Sequence, residues 1–190
     1  MRIAKQGPGY YILEDVIDNL IDRDPHSWYD EHGVESREFS FPKEHSSYKL
    51  HQCDSNSEDF AKACEEVELG VKALGLVPQD CVKSIGLHEV RGPAGAIPIH
   101  HDQNHIAGLT IFLNQDWPLE RGGWNFCIDE KQEVIITPPK FNTGILIMTP
   151  RAHGAIPVFE DGCKRRTMQI FFDEKQTLEK WQQVRESILK

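Results

Sequence analysis

Between Lys83 and Phe172 the chain breaks into eight short apolar stretches separated by turn residues. They are Ser84–Val90, Ala96–Gln103, Ala107–Asn114, Trp124–Cys127, Glu133–Thr137, Gly144–Thr149, Ala152–Val158 and Arg165–Phe172. None is long enough for a helix of several turns, and Gly and Pro fall between them, so each reads as a strand. Many strands in succession, without intervening helical repeats, exclude a parallel βαβ sheet and leave a sandwich or barrel. The expected architecture is therefore a mainly β core with flanking helices (α+β).

Helical periodicity is confined to the flanks. Tyr10–Leu13 reads as a short strand, and Glu14–Arg23, with Val16, Ile17, Leu20 and Ile21 on one face, as a helix ended by Asp24-Pro25. Two further strands are expected at Arg37–Phe41 and Tyr48–Cys53. Ser57 can cap a second helix whose stripe is Phe60, Cys64, Val67, Val71 and Leu74, with Gly75 and Pro78 as its stop. A third helix, Gln176–Leu189, presents Leu178, Trp181, Val184 and Ile188. With no linker, repeat or low-complexity tract, 190 residues read as one domain: 1–82 supports the core, 83–172 forms it, and 173–190 is the closing helix.

Against this frame the chemistry concentrates in Ile97-Pro98-Ile99-His100-His101-Asp102-Gln103. Side chains alternate faces along a strand, so His100 and Asp102 point one way and His101 the other. One imidazole and one carboxylate aimed at a common point form two-thirds of a 2-His-1-carboxylate triad, the ligand set of non-haem Fe(II) oxygenases. His153, on the seventh strand, is the candidate third ligand. About a dozen residues further on, Lys164-Arg165-Arg166 heads the last strand. Isolated histidines elsewhere (His26, His32, His45, His51) read as surface residues, His88 as a buried hydrogen-bonded one, His101 as packed or exposed, and His105, at a loop edge, as exposed, with the entrance of the cavity as its alternative place.

Composition narrows the partners. The net charge of -9, from 21 Lys+Arg against 30 Asp+Glu, opposes attraction to a nucleic-acid backbone. The five cysteines have no Cys-x-x-Cys pairing, so neither a disulfide framework nor a zinc ribbon is expected, and a reducing compartment fits. No apolar segment has the length of a membrane span, and the N-terminus lacks a leader's apolar region, which makes a cytoplasmic, soluble protein the expectation.

Taken in order, these segments resemble the Fe(II)/2-oxoglutarate-dependent dioxygenases, most nearly the prolyl-hydroxylase-like branch. The matching text is Ile97–Gln103, Leu109–Trp117 running into Gly122-Gly123-Trp124-Asn125-Phe126, Thr143–Met148, the His153 strand ending Ile156-Pro157-Val158, and Arg165–Phe172. The resemblance implies a double-stranded β-helix, the jelly roll of cupin-like proteins, with iron held by His100, Asp102 and His153. It implies 2-oxoglutarate as co-substrate, its far carboxylate held by a basic residue at the start of the last strand. An Arg fork suits that carboxylate, which would otherwise be buried unpaired. Arg165 and Arg166 lie on opposite faces; Arg165-x-Thr167 matches the family's Arg-x-Ser/Thr, with the Thr167 hydroxyl also touching the carboxylate, and Arg166 is the runner-up.

The implied activity is hydroxylation of a peptide, protein or small-molecule substrate, consuming O2, releasing succinate and CO2, and supported by ascorbate. Where such hydroxylases place a tyrosine just before the Leu-Asn of the third strand, this chain has Phe112, which weakens a prolyl substrate more than it weakens 2-oxoglutarate; Thr110 or Gln169 are the candidate substitutes. The rivals are a cupin-like metalloenzyme that uses no 2-oxoglutarate and a non-catalytic β-sandwich module, neither of which needs a cation at Arg165.

Overall fold

The computed structural model describes residues 1–29, 37–39, 50–53, 55, 57–93, 95–102 and 105–174. Twelve strands occur among these: β1 (Arg2–Gly7), β2 (Tyr10–Glu14), β3 (Arg37–Phe39), β4 (Leu50–Cys53), β5 (Val82–Arg91), β6 (Ile97–His101), β7 (Ala107–Phe112), β8 (Asn125–Ile128), β9 (Val134–Thr137), β10 (Thr143–Met148), β11 (Ala152–Ala155) and β12 (Lys164–Asp173). All pairings are antiparallel. They form an eight-stranded sheet in the order β1-β2-β10-β7-β12-β5-β4-β3 and a four-stranded sheet in the order β6-β11-β8-β9. Each of the eight strands expected between Lys83 and Phe172 is present.

The larger sheet has two chemically different faces, and the period of two along its strands sets them. On β12, Met168, Ile170 and Phe172 join one apolar cluster with Leu109 and Ile111 of β7 and Leu146 of β10. Helix α1 (Glu58–Ala73) covers that face with Ala63, Cys64, Val67 and Val71. Burying each such Val or Leu contributes about 1.5–3 kcal/mol, which is what fastens the helix. Ser57 caps α1 by accepting from the amide of Phe60, and Gly75, at φ +68°, takes the left-handed turn that ends it. The intervening residues, Arg165, Thr167, Gln169 and Phe171, face the four-stranded sheet.

One N-terminal expectation needs correction, and one strand there was not expected. The segment 14–23 is not a helix: only Leu20–Asp22 and Pro25–Trp28 form short 3-10 turns, and Asp15, Asn19 and Asp24 have positive φ. Its backbone is captured by Asn142 instead. The Asn142 side chain accepts from the Ile17 amide at 2.9 Å and donates to the Ile17 carbonyl at 2.8 Å. Val16, Ile17 and Leu20 still bury in the core, but Ile21 is 67 % exposed. Strand β1 was not anticipated, because its Arg, Lys and Gln residues lie almost wholly exposed and show no apolar alternation.

The helix expected at Gln176–Leu189 lies outside the described residues, as do Phe41, Tyr48, His32, His45 and Gln103. No helix among the described residues is long and apolar enough to cross a membrane.

Candidate metal centre

His100 and His153 are directly opposed in the β6–β11 register, so their side chains share a face, with ring centroids 4.3 Å apart. Asp102 follows β6 and turns to the same side. His100 Nε2 lies 3.6 Å from Asp102 Oδ1 and His153 Nε2 lies 3.4 Å from Asp102 Oδ2. One ligand atom from each residue falls within 4.8 Å of the others.

The tautomers are set by the backbone. His100 Nδ1 lies 2.8 Å from the Pro98 carbonyl, and His153 Nδ1 lies 2.9 Å from the Arg151 carbonyl. A carbonyl only accepts, so each Nδ1 carries the proton and each Nε2 presents a lone pair. Three acceptors therefore converge on one point, an arrangement that calls for a cation or a proton between them.

Electrostatics reflects that demand. Burial lowers the His100 pKa, and His153 lowers it further. Burial also opposes protonation of His153, but the bond to Asp102 and the bond to the Arg151 carbonyl outweigh it and raise the net value. Asp102 stays below the usual carboxylate range because its interactions with His153, then with His100 and His105, overcome the upward push of burial.

Arg165 and Arg166 do point in opposite directions. Arg165 is 1 % exposed and reaches toward the four-stranded sheet, where its Nη2 donates to Asn125 Oδ1 of β8 and its guanidinium lies 5.2 Å from the Phe112 ring centroid. Its Nε has no hydrogen-bond partner, and no carboxylate pairs with it among the described residues. Burial pushes its pKa down to about 10. A buried cation held by one amide and an aromatic face is electrostatically incomplete. Thr167, two residues on and 2 % exposed, shares this side and pairs in register with Phe112.

Arg166 points to the opposite face of the larger sheet, into a different set of partners. Its Nε donates to Glu89 Oε2 at 3.0 Å, Nη1 approaches His26 Nδ1 at 3.1 Å, and the guanidinium sits 4.6 Å from the Tyr29 ring centroid. It is no solvated charge: its side chain is 12 % exposed and compensates the buried Glu89 together with Arg91. Lys164 is a weaker member, 3.8 Å from Glu89. His26, read as a surface residue, belongs to this network.

The other histidines separate cleanly. His101 is exposed and meets the Pro150 carbonyl on the far face, as alternation predicts. His88 faces Thr167 across β5–β12, with a pKa lowered to about 4 by burial and then by Arg165. His105 is half-buried, not exposed: Nδ1 lies 2.5 Å from Asp173 Oδ1 and the ring stacks on Phe171 at 4.3 Å.

Asn125 was missed by sequence reasoning, although it stands in the Gly122–Phe126 segment that carried part of the resemblance. The signal is Gly123: a Cβ there would lie 2.8 Å from Arg165 Cδ, so glycine clears the path for the arginine stem, and its φ of +68° suits glycine as well. A groove of 590 Å³ lined by Ile12, Trp117, Leu119, Ile136 and Phe141 contains none of His100, Asp102, His153 or Arg165.

No protein-family model matches the sequence, and no curated protein does. Solved structures do match the fold. A Burkholderia pseudomallei oxidoreductase of the 2OG-Fe(II) oxygenase family superposes with a TM-score of 0.68 at 10% identity, over 92% of this chain and 94% of that one. A Pseudomonas putida prolyl-4-hydroxylase gives 0.61 at 12% identity, covering 88% and 94%. A Trichoplax adhaerens prolyl hydroxylase, in complex with a hypoxia inducible factor oxygen degradation domain peptide fragment, gives 0.62 at 13%, covering 89% and 85%. The chain thus has the jelly-roll fold of these oxygenases, in agreement with the resemblance read from its sequence.

Proposed function

We propose that this chain is an Fe(II)- and 2-oxoglutarate-dependent oxygenase. The observation that carries the reading is the pairing of a three-acceptor centre with a fully buried arginine that lacks a carboxylate partner, both between the same two sheets. His100 Nε2, His153 Nε2 and the Asp102 carboxylate form a donor set that fits Fe(II) and leaves positions open for a chelating co-substrate and O2. When bound, iron and 2-oxoglutarate supply the oxidising chemistry: 2-oxoglutarate, O2 and a substrate C–H give succinate, CO2 and C–OH.

The protein's own contribution is placement. Arg165 receives the far carboxylate of 2-oxoglutarate, which completes the charge pairing that burial has left open. Asn125 fixes one arm of the guanidinium, Phe112 flanks it and excludes water, and Thr167 offers a hydroxyl beside it. The carbonyls of Pro98 and Arg151 keep both imidazoles in the tautomer a metal needs. Cupin-like chemistry without 2-oxoglutarate leaves Arg165 unexplained.

A peptide, protein side chain or small molecule is the proposed substrate class, and hydroxylation the proposed reaction. The Trichoplax neighbour was solved with a peptide, and a further neighbour, the epimerase SnoN, with alpha ketoglutarate and nogalamycin RO. Ascorbate would serve to keep the iron reduced, in a reducing cytoplasmic setting. The test is turnover without a prime substrate: iron-loaded protein should slowly convert 2-oxoglutarate to succinate, and the His153→Ala variant should not. Iron-loaded protein that binds 2-oxoglutarate no better than the His153→Ala variant would refute the reading.

A further inference from the structure

We propose that Gln169, oriented by the Thr110 hydroxyl, is a positioning residue that holds the Asp102 carboxylate in its metal-binding geometry. This rests on the proposed iron site and assigns Gln169 and Thr110 to the metal ligand, not to the co-substrate.

Thr110 on β7 and Gln169 on β12 are register partners, and their side chains meet between the sheets. Thr110 Oγ1 donates to Gln169 Oε1 at 2.6 Å. Gln169 is only 9 % exposed, so most of its side chain is enclosed between the sheets. The NH2 end turns toward Gly108, two residues before Thr110. The point where Gly108 would carry a Cβ lies 3.4 Å from Gln169 Nε2 and 3.4 Å from Asp102 Oδ2. A side chain at this position would meet both the amide and the carboxylate, and glycine leaves the space beside them open.

The orientation of that amide follows from charge. A threonine hydroxyl can donate to an amide oxygen or accept from an amide nitrogen, so Thr110 alone does not choose between the two. The carboxylate does, because only the NH2 end is attracted to it. Gln169 thereby brings a neutral donor to Asp102 that does not compete for a cation, unlike the two imidazoles. Asp102 also lies beyond the last residue of β6, so strand pairing does not hold it. Once both imidazoles bind a metal, the carboxylate oxygen not engaged by that metal needs a donor, and Gln169 is placed to provide one.

The test uses the full chain under anaerobic conditions. Fe(II) affinity is measured by competition with a chromogenic chelator, and the visible band of the Fe(II)–2-oxoglutarate complex serves as a second readout. Gln169→Leu should weaken Fe(II) binding by about 10-fold and shift the band, with the unfolding transition preserved. Thr110→Val should move both readouts the same way by less, and Thr110→Ser should match wild type. The Thr110→Val/Gln169→Leu double variant should equal Gln169→Leu alone, since the threonine acts through the glutamine.

Wild-type Fe(II) affinity and band in Gln169→Leu would overturn the inference. So would a Gln169→Leu variant that loses 2-oxoglutarate alone, or losses that add in the double variant. If Gln169→Leu does not fold, Thr110→Val decides alone: unchanged readouts overturn the inference. A wild-type chain that takes up no Fe(II) would overturn the proposed function and this inference with it.

Discussion

Arg165 and Arg166 are adjacent in sequence and occupy opposite sides of β12, one with an incomplete set of partners between the sheets and the other compensating the buried Glu89 on the opposite face of the larger sheet. Two neighbouring cations therefore answer to different anions. One anion is part of the protein, and the other is the proposed co-substrate.

Substitutions at the two positions should consequently fail differently. Arg165→Ala is expected to cost about 2–5 kcal/mol of 2-oxoglutarate binding, roughly thirty-fold to several thousand-fold in affinity. Arg165→Lys should fall between, because it keeps the charge and loses the planar fork. Arg166→Ala should leave 2-oxoglutarate affinity near wild type and instead lower stability by about 1–3 kcal/mol, since Glu89 is left under-compensated in a buried position. Affinity and urea unfolding measured on the same three variants check both halves. An Arg166→Ala variant that loses the co-substrate would contradict the assignment.

The side of β12 that faces the site was partly legible in advance. Alternation placed Arg165 and Arg166 on opposite faces, and Arg-x-Thr selected the inner one. It could not show that Arg166 is itself buried, because Glu89, Tyr29 and His26 meet it only through strand pairing and a distant N-terminal turn. Asn125 was invisible for the same reason: its contact to Arg165 exists only once the two sheets face each other. Residues 14–23 misled because Val16, Ile17, Leu20 and Ile21 have helical spacing. That spacing is a statement about burial, and an irregular segment tied down by Asn142 satisfies it for three of the four.

Metal binding should depend on pH through His153. Its pKa is raised above 6.5 in the metal-free protein, whereas that of His100 is lowered, so His153 is the imidazole that takes up a proton first as pH falls and must shed it to bind a metal. Fe(II) affinity is expected to drop below the raised His153 pKa with a slope of about one proton per ion. Stability of the metal-free protein should run the other way. The His153 contribution is fully present below its unfolded pKa of 6.5 and is lost as pH rises through the raised folded value. The Asp102 contribution is present above its unfolded 3.8 and lost as pH falls through the lowered folded value. Adding Fe(II) should therefore move the pH of maximum stability upward, which thermal unfolding with and without the ion will show. No upward movement would contradict the assigned ligands.

Asn142 should be a stability residue remote from the chemistry. Asn142→Ala removes both bonds to Ile17 and forces alanine to φ +56°, for an expected loss of about 2–3 kcal/mol. Asn142→Gly keeps the backbone conformation and should lose less. Urea midpoints at constant slope are the measure, and a loss under about 0.5 kcal/mol for alanine would show that the segment is held by its apolar contacts alone.

The central claim is that one site binds iron and 2-oxoglutarate together. Its most direct test is anaerobic titration of the Fe(II)-loaded wild-type chain with 2-oxoglutarate, read by visible absorption. A weak metal-to-ligand charge-transfer band should grow to saturation at one equivalent bound, be absent from His153→Ala and be displaced to far higher concentration in Arg165→Ala. A wild-type chain that holds Fe(II) yet develops no band, with 2-oxoglutarate unbound by calorimetry, would contradict it.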